Sequence, residues 1–247
     1  MSTVKTKGLI LKQSDFGEAN RILTIFTKEF GIIKAVAYGA KSIRSKNSAS
    51  TQVMTYAEFV LLKTDKDMMS IQNSEIIDSF FGVKEDIVKL SLCVYFSDLV
   101  YSLLNMNSPD DEMLSLFLNA VYALSYKDIE PEKIRAVFEL RAMAGGGYMP
   151  NMSSCVKCGN TDAISHFAPL SGGIVCKNCF KIGDTPINAE VYHTLLYILS
   201  SDTKKMLSFS ASQEVMKQVS EISEKYVDAF SDNKFKSLEY YKQMLGY

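Results

Sequence analysis

Arg21-Ile-Leu-Thr-Ile-Phe-Thr-Lys-Glu-Phe-Gly-Ile-Ile-Lys-Ala-Val-Ala-Tyr38 decides how the front of this chain is built. Two apolar runs, Arg21–Thr27 and Ile32–Tyr38, flank Lys28-Glu29-Phe30-Gly31. A short connection with glycine near its end is a hairpin signal. In the second run Ile32, Lys34, Val36 and Tyr38 share one face, and Ile33, Ala35 and Ala37 share the other. That is the period of two of a strand. Working outward, Lys5–Lys12 is a short apolar-rich run before the hairpin. Val53–Lys63 and Met68–Asp78 form a further pair, joined around Asp65-Lys66-Asp67. Five strands with short turns predict a small closed barrel over residues 1–80. Between the third and fourth strands, Gly39–Gln52 holds Lys41, Arg44 and Lys46, four serines and no acid. It reads as a mobile surface loop.

Residues 81–247 read as a helical domain. Glu85–Leu104 is apolar nearly all round, the pattern of a helix buried between others. Pro109 breaks it, and Glu112–Tyr126 follows. Pro131 suits the first turn of a third helix, which Gly145-Gly146-Gly147 ends. Two more cover Ala189–Leu199 and a stretch to Phe230 that starts at Ser210, with Ser210 and Gln213 as its capping box. The composition, 47% hydrophobic and 22% charged over 247 residues, excludes a wholly disordered chain. No apolar run approaches the ~20 residues that span a bilayer. Lys5, Lys7 and Lys12 have no apolar core behind them, so no secretory signal is read, and a cytoplasmic protein without membrane attachment is expected.

Charge is unevenly spread. Residues 1–46 carry nine basic and three acidic side chains, yet the whole chain has a net charge of −1. A basic front and an acidic remainder suggest that one part meets a polyanion. On a small barrel, cations follow phosphates and aromatic faces stack bases. The candidates are Arg21, Lys34, Lys41, Arg44 and Lys46, with Phe16 and Tyr38 placed to stack. They are expected to form one contiguous track, with the loop as its centre.

The strongest chemical signal is Cys155-Val-Lys-Cys158-Gly and Cys176-Lys-Asn-Cys179, separated by 17 residues. This is the spacing of a tetrahedral four-thiolate zinc site. A two-residue spacer lets both sulfurs of one turn reach one ion, and the stretch between the pairs reads as a hairpin that returns the second turn to the first. Four thiolates leave no open position, so one structural Zn2+ is expected, in a module over about 151–183. His166 inside this module reads as a surface or hydrogen-bonded histidine, and Cys93 as a small core residue. The chain has two histidines. It lacks HExxH, GxGxxG after a strand, a phosphate-binding GxxxxGK[ST] loop and the His-x-Glu of zinc deaminases. A non-enzyme is expected.

Several segments together resemble the RecO family of bacterial recombination mediators. They are Gly8-Leu-Ile-Leu-Lys12, Asp15-Phe-Gly-Glu-Ala-Asn-Arg21, Leu23-Thr-Ile-Phe-Thr27 with Gly31, and Ala35-Val-Ala-Tyr-Gly-Ala-Lys41. Phe138-Glu-Leu-Arg141, Gly147-Tyr-Met-Pro150, Cys155-Val-Lys-Cys158-Gly159 and Phe235-Lys-Ser-Leu238 continue the match in order. The resemblance implies an N-terminal OB-fold, a helical domain and an inserted zinc-ribbon-like module. It implies binding of single- and double-stranded DNA and annealing of complementary strands. It also implies work with RecR, often with RecF, to load RecA onto strands coated by single-strand-binding protein, whose acidic C-terminal tail is contacted. An apolar helical pocket rimmed by Arg135 or Arg141 is the expected seat for that tail. Members often carry more Arg and Lys across 39–46, so the DNA affinity implied here is modest and partner-dependent. A zinc-stabilised protein–protein adaptor with incidental nucleic-acid affinity is the alternative.

Overall fold

The computed structural model describes residues 2–42, 45, 47–63, 68–231 and 234–246. Arg44, Lys46 and the expected turn at Asp65, Lys66 and Asp67 lie outside the described residues. Five strands, β1 (Thr3–Phe16), β2 (Asn20–Thr27), β3 (Gly31–Ala37), β4 (Tyr56–Leu62) and β5 (Met69–Asp78), close into a barrel of order β1-β2-β3-β5-β4. All neighbours are antiparallel except β3 and β5, which run parallel, as in an OB-fold. β1 is long enough to pair with both β2 and β4, and a register shift between Ile10 and Lys12 bends it from one to the other.

The alternation in β3 divides its side chains as the sequence requires. Ile33, Ala35 and Ala37 join Ile10, Leu23, Ile25, Ala57, Phe59, Leu61 and Ile71 in the barrel core. Lys34, one residue out of phase, is exposed. Gly31 opens β3 at φ +64°, and a Cβ there would run into the backbone of Ser108. Glycine therefore serves both the turn and the close approach.

Seven helices follow among the described residues: α1 (Phe81–Lys84), α2 (Ile87–Leu103), α3 (Asp111–Tyr126), α4 (Pro131–Gly145), α5 (Ala189–Ser200), α6 (Gln213–Phe230) and α7 (Lys236–Leu245). Short polar side chains start most of them. Asp86 accepts from Val88 N at 2.9 Å, Asp110 from Met113 N at 2.8 Å and Asn188 from Val191 N at 2.8 Å. Ser212, not Ser210, caps α6 by accepting from Val215 N at 3.3 Å. α4 ends as the three glycines predict. Gly147 takes φ +94°, Tyr148 N reaches Met143 O at 2.8 Å and Gly147 N reaches Ala144 O at 3.3 Å, the paired bonds of a Schellman stop.

The chain packs as two compact units, Met1–Asp128 with Phe235–Tyr247, and Ile129–Lys234. The first holds the barrel, α1–α3 and α7. The second holds α4–α6 and the cysteine module. Residue 80 thus marks the change from strand to helix, while the change of packing unit falls after Asp128. In the first unit Phe96 of α2 meets Phe117 of α3 edge-on at 6.2 Å. In the second, Phe167 meets Tyr226 of α6 at 5.5 Å. No helix among the described residues is long and apolar enough to cross a membrane.

Candidate nucleic-acid interface and metal centre

Strand register brings part of the basic set together at one end of the barrel. Arg21 of β2 lies between Asp15 of β1 and Ala37 of β3. Tyr38 follows Ala37 and is 61% exposed. Gly39 N donates to Asn20 Oδ1 at 3.0 Å, and Lys41 N donates to Ala19 O at 3.1 Å. These bonds hold the start of the β3–β4 loop against the β1–β2 turn. Phe16, at the same turn, is also exposed. Arg21, Tyr38, Lys41 and Phe16 therefore share one rim of the barrel.

Two candidates differ from a simple open track. Lys41 Nζ is paired with Asp15 Oδ2 at 2.9 Å, an exposed ion pair. Lys34 sits on the outer wall, in a row with Thr24 and Lys12. It stands three positions before Ala37, about 10 Å along the strand. Lys12 in that row is committed elsewhere, with Nζ 2.6 Å from Asp98 Oδ1 of α2.

The β3–β4 loop is not the bare tether its serines suggest. Its described residues form successive turns with Ser42 N on Gly39 O, Ser45 N on Ser42 O and Ser48 N on Ser45 O, each near 3 Å. Ser50 and Thr51 are buried, and their hydroxyls are engaged. Sequence reasoning missed these anchors because their partners, Arg21 and Ser74, stand more than twenty residues away.

Arg135 and Arg141 do not form the rim expected of them. Arg135 is 3% exposed and lies between Glu139, 2.8 Å away, and Glu132, 2.9 Å away. Burial pushes its pKa down, but the two carboxylates outweigh that and push it up. It is a charged core residue. Arg141 donates to the carbonyls of Ile198 at 2.9 Å and Ser201 at 2.6 Å, where it ties α4 to the end of α5.

The four predicted cysteines do converge. β6 (Ile164–Ala168) and β7 (Gly173–Cys176) form the hairpin between the two Cys pairs, with a 3-10 turn at Pro169–Ser171 and a short β8 (Thr185–Pro186) beside β6. Each pair sits on a tight turn. Gly159 N donates to Cys155 O at 2.8 Å and Cys179 N to Cys176 O at 2.9 Å. The Sγ atoms of Cys155, Cys158, Cys176 and Cys179 all lie within 4.8 Å of one another, with Cys158 and Cys176 3.8 Å apart. Four sulfurs at tetrahedral corners about 2.3 Å from one ion stand about 3.8 Å apart, whereas a disulfide needs about 2.05 Å. The donor set therefore fits a metal.

Its acid–base chemistry agrees. Desolvation pushes Cys155 up, but the N–H groups of Cys176, Lys157 and Cys158 outweigh it and bring its thiol down to about 6. Donating its S–H to Cys158 and Cys176 holds the Cys179 thiol up, to about 12. One thiolate forms easily and the next is opposed, a conflict that a bound cation removes. The surrounding apolar cluster is small, with Ala168 and Val175 as its buried members besides the cysteines. His166 takes no part. It stacks on Phe180 with centroids 4.1 Å apart, and its Nδ1 lies 2.8 Å from Ser165 Oγ. Cys93 is fully buried in α2, where desolvation pushes its thiol far up.

Comparison with known proteins fits this arrangement. Residues 1–80 match the family model for the recombination protein O N terminal domain, and residues 84–239 match that for its C terminal domain. The chain is 35% identical over 247 residues to the DNA repair protein RecO of Acetivibrio thermocellus, covering 99% of this chain and 98% of that one. It is 30% identical over 246 residues to the RecO of Clostridium novyi, covering 99% and 95%. With the RecO of Bacillus subtilis it shares 26% over 242 residues, covering 97% and 94%.

Proposed function

The chain belongs to the RecO family of DNA repair proteins, and from that premise we propose that it is a non-catalytic mediator of recombinational repair. It binds single- and double-stranded DNA, anneals complementary strands and helps load RecA onto strands coated by single-strand-binding protein. Its partners are RecR, with RecF as an optional further member, and the acidic C-terminal tail of the coating protein, in the cytoplasm at the nucleoid. The observation that carries this reading is the rim where Arg21, Tyr38 and Lys41 meet on a closed five-stranded barrel. Arg44 and Lys46 add two cations to the same loop.

The mechanism needs no bond chemistry from the protein. Two strands repel through their phosphates. Cations on the rim lower that repulsion, exposed aromatic faces hold bases unstacked from their neighbours, and base pairing drives the product. Cys155, Cys158, Cys176 and Cys179 would hold one structural Zn2+, and four thiolate ligands would fix the β6–β7 module without offering a reactive position.

The pairing of Lys41 with Asp15 favours one second reading, a zinc-stabilised protein–protein adaptor with incidental nucleic-acid affinity. A fluorescence anisotropy titration over a salt series separates the two. Charge reversal at Lys41, Arg44 and Lys46 should weaken binding and flatten its salt dependence, by about 0.7 in slope for each phosphate no longer neutralised. An unchanged slope counts against the loop. Strand annealing, run with and without single-strand-binding protein, should fail in the same variant.

A further inference from the structure

The described residues of the basic loop are tethered at both ends, and a third tether lies between them. Ser50 Oγ is 2.6 Å from Ser74 Oγ, and Ser74 Oγ donates to Asn47 Oδ1 at 2.8 Å. Ser74 belongs to β5, so this pairing fastens the loop to a barrel strand. Each hydroxyl has one proton. With Ser74 donating to Asn47, Ser50 donates to Ser74 at 2.6 Å in preference to the backbone carbonyl of Asn47 at 3.2 Å, and the three side chains form a directed relay. Asn47 passes the constraint on. Its backbone carbonyl accepts from Thr51 Oγ1 at 2.7 Å, and Thr51 Oγ1 in turn accepts from Arg21 Nη1 at 3.3 Å. Thr51 is fully buried. Lys46 directly precedes Asn47 in the chain, and Arg44 stands three residues before it.

We propose that the Ser50–Ser74–Asn47 relay, continued through Thr51 to Arg21, positions the described loop turns at 47–52 and the Arg21 guanidinium for single strands. Ser74 and Asn47 are positioning residues that meet no phosphate themselves. A segment held in one arrangement before binding loses little conformational freedom on binding, so Arg21 and the turns at 47–52 act at lower cost. This rests on the reading of the loop as a DNA-binding segment.

The test separates position from charge. Ser74→Ala removes the middle hydroxyl and keeps every cation. Affinity for a labelled single strand should fall about five- to tenfold at fixed salt, the loss expected for one net hydrogen bond. The salt slope should stay at its wild-type value, because the number of phosphates neutralised is unchanged. Ser74→Thr, which keeps the hydroxyl on a strand that tolerates branching, should restore affinity. Amide hydrogen exchange over residues 39–55 in the free protein should quicken in Ser74→Ala, with thermal unfolding near wild type. Ser50→Ala, remote from any strand pairing, should give the same pattern and guards against a folding defect at β5. Unchanged affinity, or a slope that falls along with it, overturns the proposal. If removing the charges of Lys41 and Lys46 leaves affinity untouched, the DNA reading of the loop fails instead, and the exchange data alone decide whether Ser74 anchors it.

Discussion

On the proposed reading of the rim, Asp15 occupies the place on Lys41 that a phosphate would take. Its carboxylate lies 2.9 Å from Nζ, and both groups are open to water. Exposed ion pairs of this kind are worth about 0–1 kcal/mol, so a polyanion can displace the carboxylate at small cost. Once displaced, the carboxylate still faces the incoming strand and repels it. Asp15→Asn removes that competition without adding a cation. Single-strand affinity should rise about two- to fivefold at low salt, and the salt slope should steepen toward one further phosphate, about 0.7. The gain should shrink in high salt, where exposed charges are screened. Anisotropy titrations over a salt series read both quantities, and an affinity that stays level at low salt would show that Lys41 does not touch the strand.

At the scale of elements, the cysteine hairpin is the piece least able to stand by itself. β7 has four residues and its buried cluster holds few carbons beyond the cysteines. Metal binding in comparable peptides is worth about 10–16 kcal/mol, far above what so few side chains can supply. Chelation should therefore release the β6–β7 pairing while the barrel stays folded. Amide exchange should rise over residues 151–183 and stay low in β1–β5, and Cys176→Ser should reproduce the pattern. Loss of protection in both regions together would mean that the metal supports more than its own module. The sequence made this element legible because spacing alone constrains four ligands. It made the barrel legible for a similar reason, since the β3 pattern leaves only one way to bury Ile33, Ala35 and Ala37. Helix ends are harder to read. Ser210 and Ser212 both have N-cap chemistry, and the choice falls to Ser212 because α6 must turn Val215, Val219, Ile222 and Tyr226 inward. Arg135 carries a local signal of its burial. Glu132 and Glu139 stand three and four residues away on one helix, the spacing of a paired rather than a free guanidinium. The loop anchors have no such signal, because Ser74 reaches Asn47 across 27 residues.

At the scale of the whole molecule, the path of the chain matters as much as its elements. It completes the barrel and α1–α3, builds a second unit over Ile129–Lys234, and returns at Phe235 to finish the first. The last helix is therefore a distant part of the N-terminal unit. Tyr241 of α7 is fully buried and Leu238 nearly so. Phe235 meets Tyr95 edge-on at 5.6 Å. Ser237 Oγ donates to Asp98 Oδ2 at 2.6 Å, and the other oxygen of Asp98 takes Lys12 Nζ of β1 at the same distance. One carboxylate of α2 thus joins the barrel to the chain terminus. Two buried side chains at about 1.5–3 kcal/mol each, with the packing on Tyr95, make α7 worth roughly 5 kcal/mol. Ending the chain after Lys234 should remove that much stability from the first unit and leave α4–α6 protected, as read by hydrogen exchange segment by segment. DNA binding should fall with it, although no residue of the rim is altered. Equal loss of protection in both units would show that they unfold as one, and undiminished protection in α2 would show that α7 is an ornament on a unit already complete at Asp128.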